Sequence, residues 1–209
     1  DDHDADGIKH WWVDPEQNYQ RMILWFENTY FGGEAIPCTY VNWGASAMAG
    51  FYGSPPIFRK NTVWFEPVIE NWEDWRWEFD PQTNPTWQQT LAIVDHLIDK
   101  NDGRYFVGTP EFGCAGDLLT LMRGMDKLSI DLYEYPEEVK NAIEVLSTSW
   151  VDCHEEIYQK TKLLNDGGVL AWMSLWAPGR HSQIACDFST VLSPKMFGEF
   201  FVPEIQKEA

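Results

Sequence analysis

The stretch 167–206 constrains the fold most, because two strand-like segments are followed there by a helix start. The run 169–176 is so apolar, apart from one serine, that it predicts a buried strand. The segment 183–188 predicts a second strand that finishes on Asp187. A serine-proline pair then supplies an N-cap and a first-turn proline for a helix over 195–201. Since α/β folds build their sites at the carboxyl ends of parallel strands, Asp187 is the first candidate catalytic residue.

Strand-like and helical patterns alternate along the rest of the chain. Apolar residues recur at helical spacing or in short β-rich runs, and proline and glycine mark many of the boundaries. The predicted helices cover 15–31, 45–49, 87–98, 117–122 and a long helix from 136, and the predicted strands cover 36–42, a β-rich segment at 61–71, and 104–108. Four or five strands separated by helices predict a parallel α/β sheet or barrel.

Length limits how much of such a barrel the chain can form. A closed (β/α)8 TIM barrel takes roughly 250 residues, whereas this chain has 209 and ends in helical sequence without a terminating glycine. The sequence therefore predicts one domain over 1–209, the N-terminal portion of a TIM barrel with about five strands, carrying an N-terminal helical extension over 1–35.

The net charge and the cysteine content limit the binding partners and the cellular compartment that we expect for this protein. The net charge of −18 repels phosphate backbones and anionic lipid headgroups, so nucleic acid is not an expected partner. The four cysteines lie far apart without a CxxC motif, which fits a reducing cytoplasm. No apolar run approaches about 18 residues, and the acidic start over 1–7 is unlike a signal peptide. We expect a cytoplasmic protein that is not inserted in a membrane.

Polar residues next to the predicted strands and turns are the candidate site residues. Asn42, a candidate catalytic residue, lies at the end of the strand over 36–42. Glu111 and Asp117 flank a glycine-rich turn, where an acid could position a ligand, and are candidate substrate-binding residues. His181, between the two late strands, could act as a general acid near neutral pH. Each has a structural alternative: Asn42, Asp117 and Asp187 could cap a turn or helix, and His181 could be a solvated loop residue.

Aromatic and thiol side chains have both functional and packing interpretations. Twelve tryptophans allow an alternative function, a non-catalytic protein that binds a sugar or aromatic ligand, but packing explains most of them. Trp43 and Trp176 are candidate substrate-binding residues. Cys186 adjoins Asp187 and would point to the opposite side of a regular strand, which predicts burial against helices. Cys153 falls on the apolar stripe of the long helix, so it and the adjacent His154 are predicted to pack rather than bind metal.

Three segments in order resemble the uroporphyrinogen decarboxylase superfamily. They are a glycine-rich turn into a helix that closes on glycine (113–124), a helix start with Pro-Glu-Glu-Val (132–139), and Cys-Asp-Phe followed by Leu-Ser-Pro (186–194) with Phe197, Phe200 and Pro203 beyond it. The similarity covers most of the chain beyond residue 36. It implies a (β/α)8 barrel with its site at the carboxyl ends of the strands.

The resemblance implies two chemistries. The superfamily includes cofactor-free decarboxylases of porphyrinogen acetates and cobamide-dependent methyltransferases that activate thiols with zinc. Asn42 stands where the decarboxylases have an aspartate, and Thr120 where they have a tyrosine. These departures favour a corrinoid-linked methyltransferase or demethylase over uroporphyrinogen decarboxylase. The implied partners are a small-molecule substrate, a corrinoid protein and a second copy of the chain, and zinc ligands would come from later strands.

Overall fold

The computed structural model describes residues 5–209, so the first four residues of the acidic start and of the predicted extension lie outside the described residues. The helices are α1 (Ala5–Val13), α2 (Pro15–Glu27), α3 (Pro85–Asp99), α4 (Ala115–Arg123), α5 (Met125–Glu134), α6 (Pro136–Thr161), α7 (Pro194–Phe200) and α8 (Val202–Glu208). The strands are β1 (Cys38–Tyr40), β2 (Pro56–Phe58), β3 (Val63–Phe65), β4 (Phe106–Gly108), β5 (Gly168–Ala171) and β6 (Leu175–Pro178). Single 3-10 turns cover Ala47–Tyr52, Trp172–Ser174 and Asp187–Val191.

The strands form three separate pairs, and no closed barrel is present within residues 5–209. β1 and β4 are parallel, as the alternating pattern predicts, with Cys38 opposite Phe106. β2 with β3 and β5 with β6 are antiparallel. β5 lies beside β4, since the Thr109 amide donates to the Leu170 carbonyl at 2.9 Å. The carboxyl ends of β1 and β4 therefore lie together, and the end of β4 lies against β5.

The two strands predicted around Asp187 are wrong. The run 169–176 is a hairpin rather than one strand, because Met173 and Ser174 adopt left-handed φ angles of 65° and 58° that turn the chain back. The segment 183–188 is irregular and enters a 3-10 turn at Asp187. Its backbone bonds to a side chain of α4 instead of a neighbouring strand. The predicted helix at 45–49 is also a 3-10 turn, displaced to Ala47–Tyr52.

Helix predictions from capping and periodicity agree well with the structure. Ser193 caps α7 by accepting from the Met196 amide at 3.2 Å, and Pro194 opens the helix. α2 begins at the predicted proline but ends at Glu27, four residues short of the predicted end. The apolar stripe of α6 is buried along its length, and Cys153 lies on it at 2% exposure. Each of these boundaries is set by local chemistry.

Most tryptophans pack, as the sequence indicates. Trp12, Trp43, Trp87 and Trp150 are buried in one hydrophobic cluster. At the rim, the Trp72 indole donates to Asp131 at 3.0 Å. Burying an aromatic body while its N–H reaches a polar partner is the usual arrangement for tryptophan.

Candidate active site

The turn that follows β4 brings the ends of two parallel strands together. Gly113 has a φ of +80°, and a Cβ on it would lie 2.4 Å from Ser46 Oγ. Only glycine fits such a close approach at a left-handed φ. The Ala47 amide donates to the Glu111 carbonyl at 3.1 Å, so the segment after β1 is fixed against the segment after β4. The carboxyl ends of these strands therefore share one polar region.

Glu111 lies at the centre of this region. Its carboxylate accepts from the Ser46 amide. Burial raises the pKa of Glu111, and the nearby carboxylates of Asp117 and Asp187 raise it further, against the lowering effect of the backbone N–H donors. Three residues that sequence analysis selected, Glu111, Asp117 and Asp187, thus lie within electrostatic range of one another.

Asp117 holds the segment that begins at Asp187 in place. Its two carboxylate oxygens accept from the amides of Asp187 and Phe188, at 3.0 and 2.9 Å. The capping role predicted for Asp117 at the start of α4 is wrong, because Cys114 is the N-cap of that helix. Asp117 lies in the first turn of α4 and instead holds the 3-10 turn over Asp187–Val191. The Asp187 side chain is exposed beside it.

A cavity of about 30 Å³ lies next to Glu111. Its wall combines residues 109–114 with residues of α6, the segment 182–185 and α8. Cys114, His154, Trp172 and Glu208 contribute to its wall. The His154 ring packs against Trp150 and Phe112, with ring centroids 3.7 and 4.8 Å away. This burial lowers the pKa of His154 to about 4, so the ring is neutral near pH 7.

The hydrogen bonds of His154 fix its tautomer. Nδ1 lies 2.8 Å from the Trp150 carbonyl, and Nε2 lies 3.2 Å from Ser182 Oγ. A carbonyl oxygen only accepts, so Nδ1 carries the proton and Nε2 accepts from the serine hydroxyl. His154 is not among the predicted site residues, because the sequence shows only that it adjoins Cys153, whereas its contact with Ser182 is tertiary.

A larger cavity, of about 470 Å³, adjoins the small one and shares His154 and Ser182 with it. His181 lines this cavity, and its Nδ1 is buried without a hydrogen-bond partner. Arg180 at the rim forms an exposed ion pair with Glu155, with N to O distances of 2.6 and 2.8 Å. The cavity is large enough for a small organic molecule.

The other predicted site residues lie elsewhere. Asn42 accepts from the Gly44 amide at 2.9 Å, which closes a turn, and it lines a separate depression beside α1 and α2. Trp43 is 3% exposed and packs against Phe58. The Trp176 indole donates to the Asn165 carbonyl at 3.0 Å. None of these three residues lines the two cavities described above.

Three further residues, Glu204, Glu208 and Cys186, lie near the start of α4 or the small cavity and were not predicted as site residues. Glu204 on α8 is 3% exposed and accepts from the Ala115 amide, and Glu208 lies one turn further along. Burial raises the pKa of both carboxyls. The sulfur of Cys186 packs against α4 at Gly116. It also lies close to Cys114 and Asp117, and the three side chains form a group of potential metal ligands.

The molecule therefore has a mixed α/β fold with many helices and few strands, and polar residues collected at the carboxyl ends of β1 and β4. A methyltransferase from Methanosarcina mazei has a similar structure, with a TM-score of 0.63 and 11% sequence identity. The alignment covers 93% of this chain and 53% of that chain, so the protein spans about half the length of its structural neighbour. At this identity the likeness shows the fold alone. No protein-family model and no curated protein matches the sequence. No helix in residues 5–209 is both long and apolar enough to cross a membrane.

Proposed function

We propose that the protein is a methyltransferase-type enzyme acting on a small molecule at the carboxyl ends of β1, β4 and β5. The observation that carries this proposal is Glu111, a carboxyl with a raised pKa that borders a cavity at these strand ends. Raised pKa values in a cleft are typical of catalytic acids and bases. The structural neighbour named as a methyltransferase supports the reaction type.

Glu111 would act as the base. A thiol or similar acceptor must lose a proton as it gains a methyl group, and a carboxylate whose pKa is shifted toward neutrality takes that proton more readily. Asp117 would act through position, because it holds the Asp187 segment against the start of α4. The neighbouring 470 Å³ cavity would hold the substrate, with His181 and Ser182 in its wall.

The finer features of this proposal come from the sequence resemblance. We infer that the chain corresponds to part of a (β/α)8 barrel of the uroporphyrinogen decarboxylase type and that the methyl donor is a corrinoid bound to a partner protein. Four free cysteines fit a reducing cytoplasm. Porphyrinogen decarboxylation is less favoured, because Asn42, at the position of the decarboxylase aspartate, closes a turn in a separate depression.

Turnover with a free corrinoid tests the proposal. Purified protein is incubated with methylcobalamin and a panel of small thiols, and demethylation is followed by absorbance. We expect Glu111→Gln to lower kcat by about 10²- to 10⁴-fold, the usual contribution of a general base. Glu66→Gln, at an exposed carboxylate, is the matched control and should keep full activity. An inactive parent protein, or an unimpaired Glu111→Gln enzyme, would contradict the proposal.

A second candidate function, binding of a sugar or aromatic ligand, is favoured by the depression beside α1 and α2. Its wall includes Trp11 and Trp25, which are 38% and 49% exposed, together with Asn42. The Arg21 guanidinium lies 3.8 Å from the centre of the Trp11 ring, and the wall combines aromatic rings with polar side chains such as Asn18 and Thr39. Titration with a glycan panel should quench tryptophan fluorescence, and an unchanged spectrum would remove this candidate.

A further inference from the structure

Three metal-ligating side chains meet where α4 begins. The sulfur atoms of Cys114 and Cys186 and a carboxylate oxygen of Asp117 all lie within 4.8 Å of one another. Cys114 is buried, whereas Asp117 and Cys186 are half-buried, so an ion can reach the group from solvent. We propose that these three residues bind a thiophilic divalent cation, with zinc as the best match.

The fold holds the three ligands from two separate segments. Cys114 is the N-cap of α4, and its sulfur accepts from the Asp117 amide at 3.5 Å. The Asp117 carboxylate in turn accepts from the amides that follow Cys186. Cys186 Sγ packs on Gly116, where an added Cβ would lie only 3.0 Å from the sulfur. Backbone hydrogen bonds therefore bring the second thiol to the helix start.

The donor set selects the class of ion. Two thiolates and one carboxylate suit zinc, which takes sulfur, nitrogen and oxygen ligands in tetrahedral geometry. Magnesium and calcium prefer oxygen ligands throughout. Three protein ligands leave a fourth position open, and Cys114 borders the 30 Å³ cavity, which is large enough for a water molecule. These ligands are distinct from those that the sequence resemblance places in later strands.

Two carboxyl groups, one on a buried and one on a half-buried residue, lie beside the three ligands. Glu204 accepts from the Ala115 amide, next to Cys114, and Glu208 lines the same 30 Å³ cavity as Cys114. Binding of a dication would convert the two thiols to thiolates and release their protons.

Cobalt substitution provides the test. The protein is reduced, treated with a chelator, freed of it and titrated with Co²⁺. We expect a near-ultraviolet thiolate-to-cobalt charge-transfer band that saturates at one ion per chain and is abolished by zinc. Cys186→Ser and Asp117→Asn should each weaken binding by at least about 10-fold. Cys38→Ser is the control, since Cys38 is 5% exposed and Cys114 6% exposed.

Two results would overturn the site: no charge-transfer band in the reduced parent protein, or an unchanged band in Cys186→Ser. Cys114→Ser replaces a buried thiol with a more polar hydroxyl and can destabilise the fold, so the test relies on the two half-buried ligands, Cys186 and Asp117. The measurement needs no turnover. A protein that demethylates methylcobalamin but binds no cobalt would support the proposed function and contradict the metal site. A protein that binds cobalt but does not demethylate methylcobalamin would support the metal site and contradict the proposed function.

Discussion

Gly113 shows how a single residue positions the ends of β1 and β4. A Cβ on it would meet Ser46 Oγ at 2.4 Å and the Ser46 Cα at 2.8 Å. We predict that Gly113→Ala lowers the free energy of unfolding by about 2–4 kcal/mol, since strain at the left-handed φ adds to the clash. Gly103→Ala is the matched control, with a φ of +86° and nothing within 4 Å of the added Cβ. Equal losses in urea unfolding of the two variants would contradict the role of Ser46.

The predicted site residues that the structure brings together are those whose position depends on local chemistry. Glu111 and Asp117 flank a glycine turn, and both lie at the carboxyl end of β4. The prediction that Asp187 ends a strand is wrong, yet Asp187 lies near Glu111 because Asp117 accepts from its amide. His154 and Cys186 were not predicted as site residues, because their partners lie 28 residues away for His154 and 69 or 72 residues away for Cys186. Pairings at such separations leave no local pattern.

At the scale of elements, the β5–β6 hairpin explains the main error in the predicted fold. Two-residue and three-residue hairpin turns usually have Asn or Gly at the positions of positive φ, and these residues make the turns recognisable in a sequence. This turn instead places Met173 and Ser174 there, at 65° and 58°. The run 169–176 therefore contains no turn signal and predicts one strand. Capped helices such as α7 were predicted closely, because serine and proline mark their starts.

The same turn makes a prediction about stability. Ser174→Gly should raise the free energy of unfolding by about 1 kcal/mol, because glycine adopts a φ of 58° without the left-handed penalty. Ser189→Gly, in the 3-10 turn over Asp187–Val191, is the control and should be neutral or destabilising, since its φ is not positive. Thermal unfolding of both variants measures the difference. A Ser174→Gly protein less stable than its parent would show that the hairpin is not closed by this turn.

At the scale of the whole molecule, buried ionisable groups couple stability to pH in opposite directions. The raised pKa of Glu111 means that the folded state holds that proton more tightly than the unfolded state, so its contribution to stability falls as pH rises. His154 has the opposite effect on stability, because its pKa is lowered from 6.5 to about 4 and its contribution to stability is lost as pH falls. Acid stability should therefore depend on one histidine of α6 rather than on the net charge of −18 alone.

The His154 contribution can be isolated by substitution. Between pH 6.5 and about 4 the unfolded chain binds a proton that the folded protein does not, so stability is fully present above pH 6.5 and is lost as pH falls through this window. The full shift corresponds to about 3 kcal/mol, and residual exposure of the ring reduces it. We predict that His154→Gln flattens the decline measured by urea unfolding with chelator present, because glutamine keeps polar contacts to Trp150 and Ser182 without titrating. His10→Gln, at an exposed site, should retain the parental slope. An unchanged slope in His154→Gln would show that the ring is solvated and titrates normally.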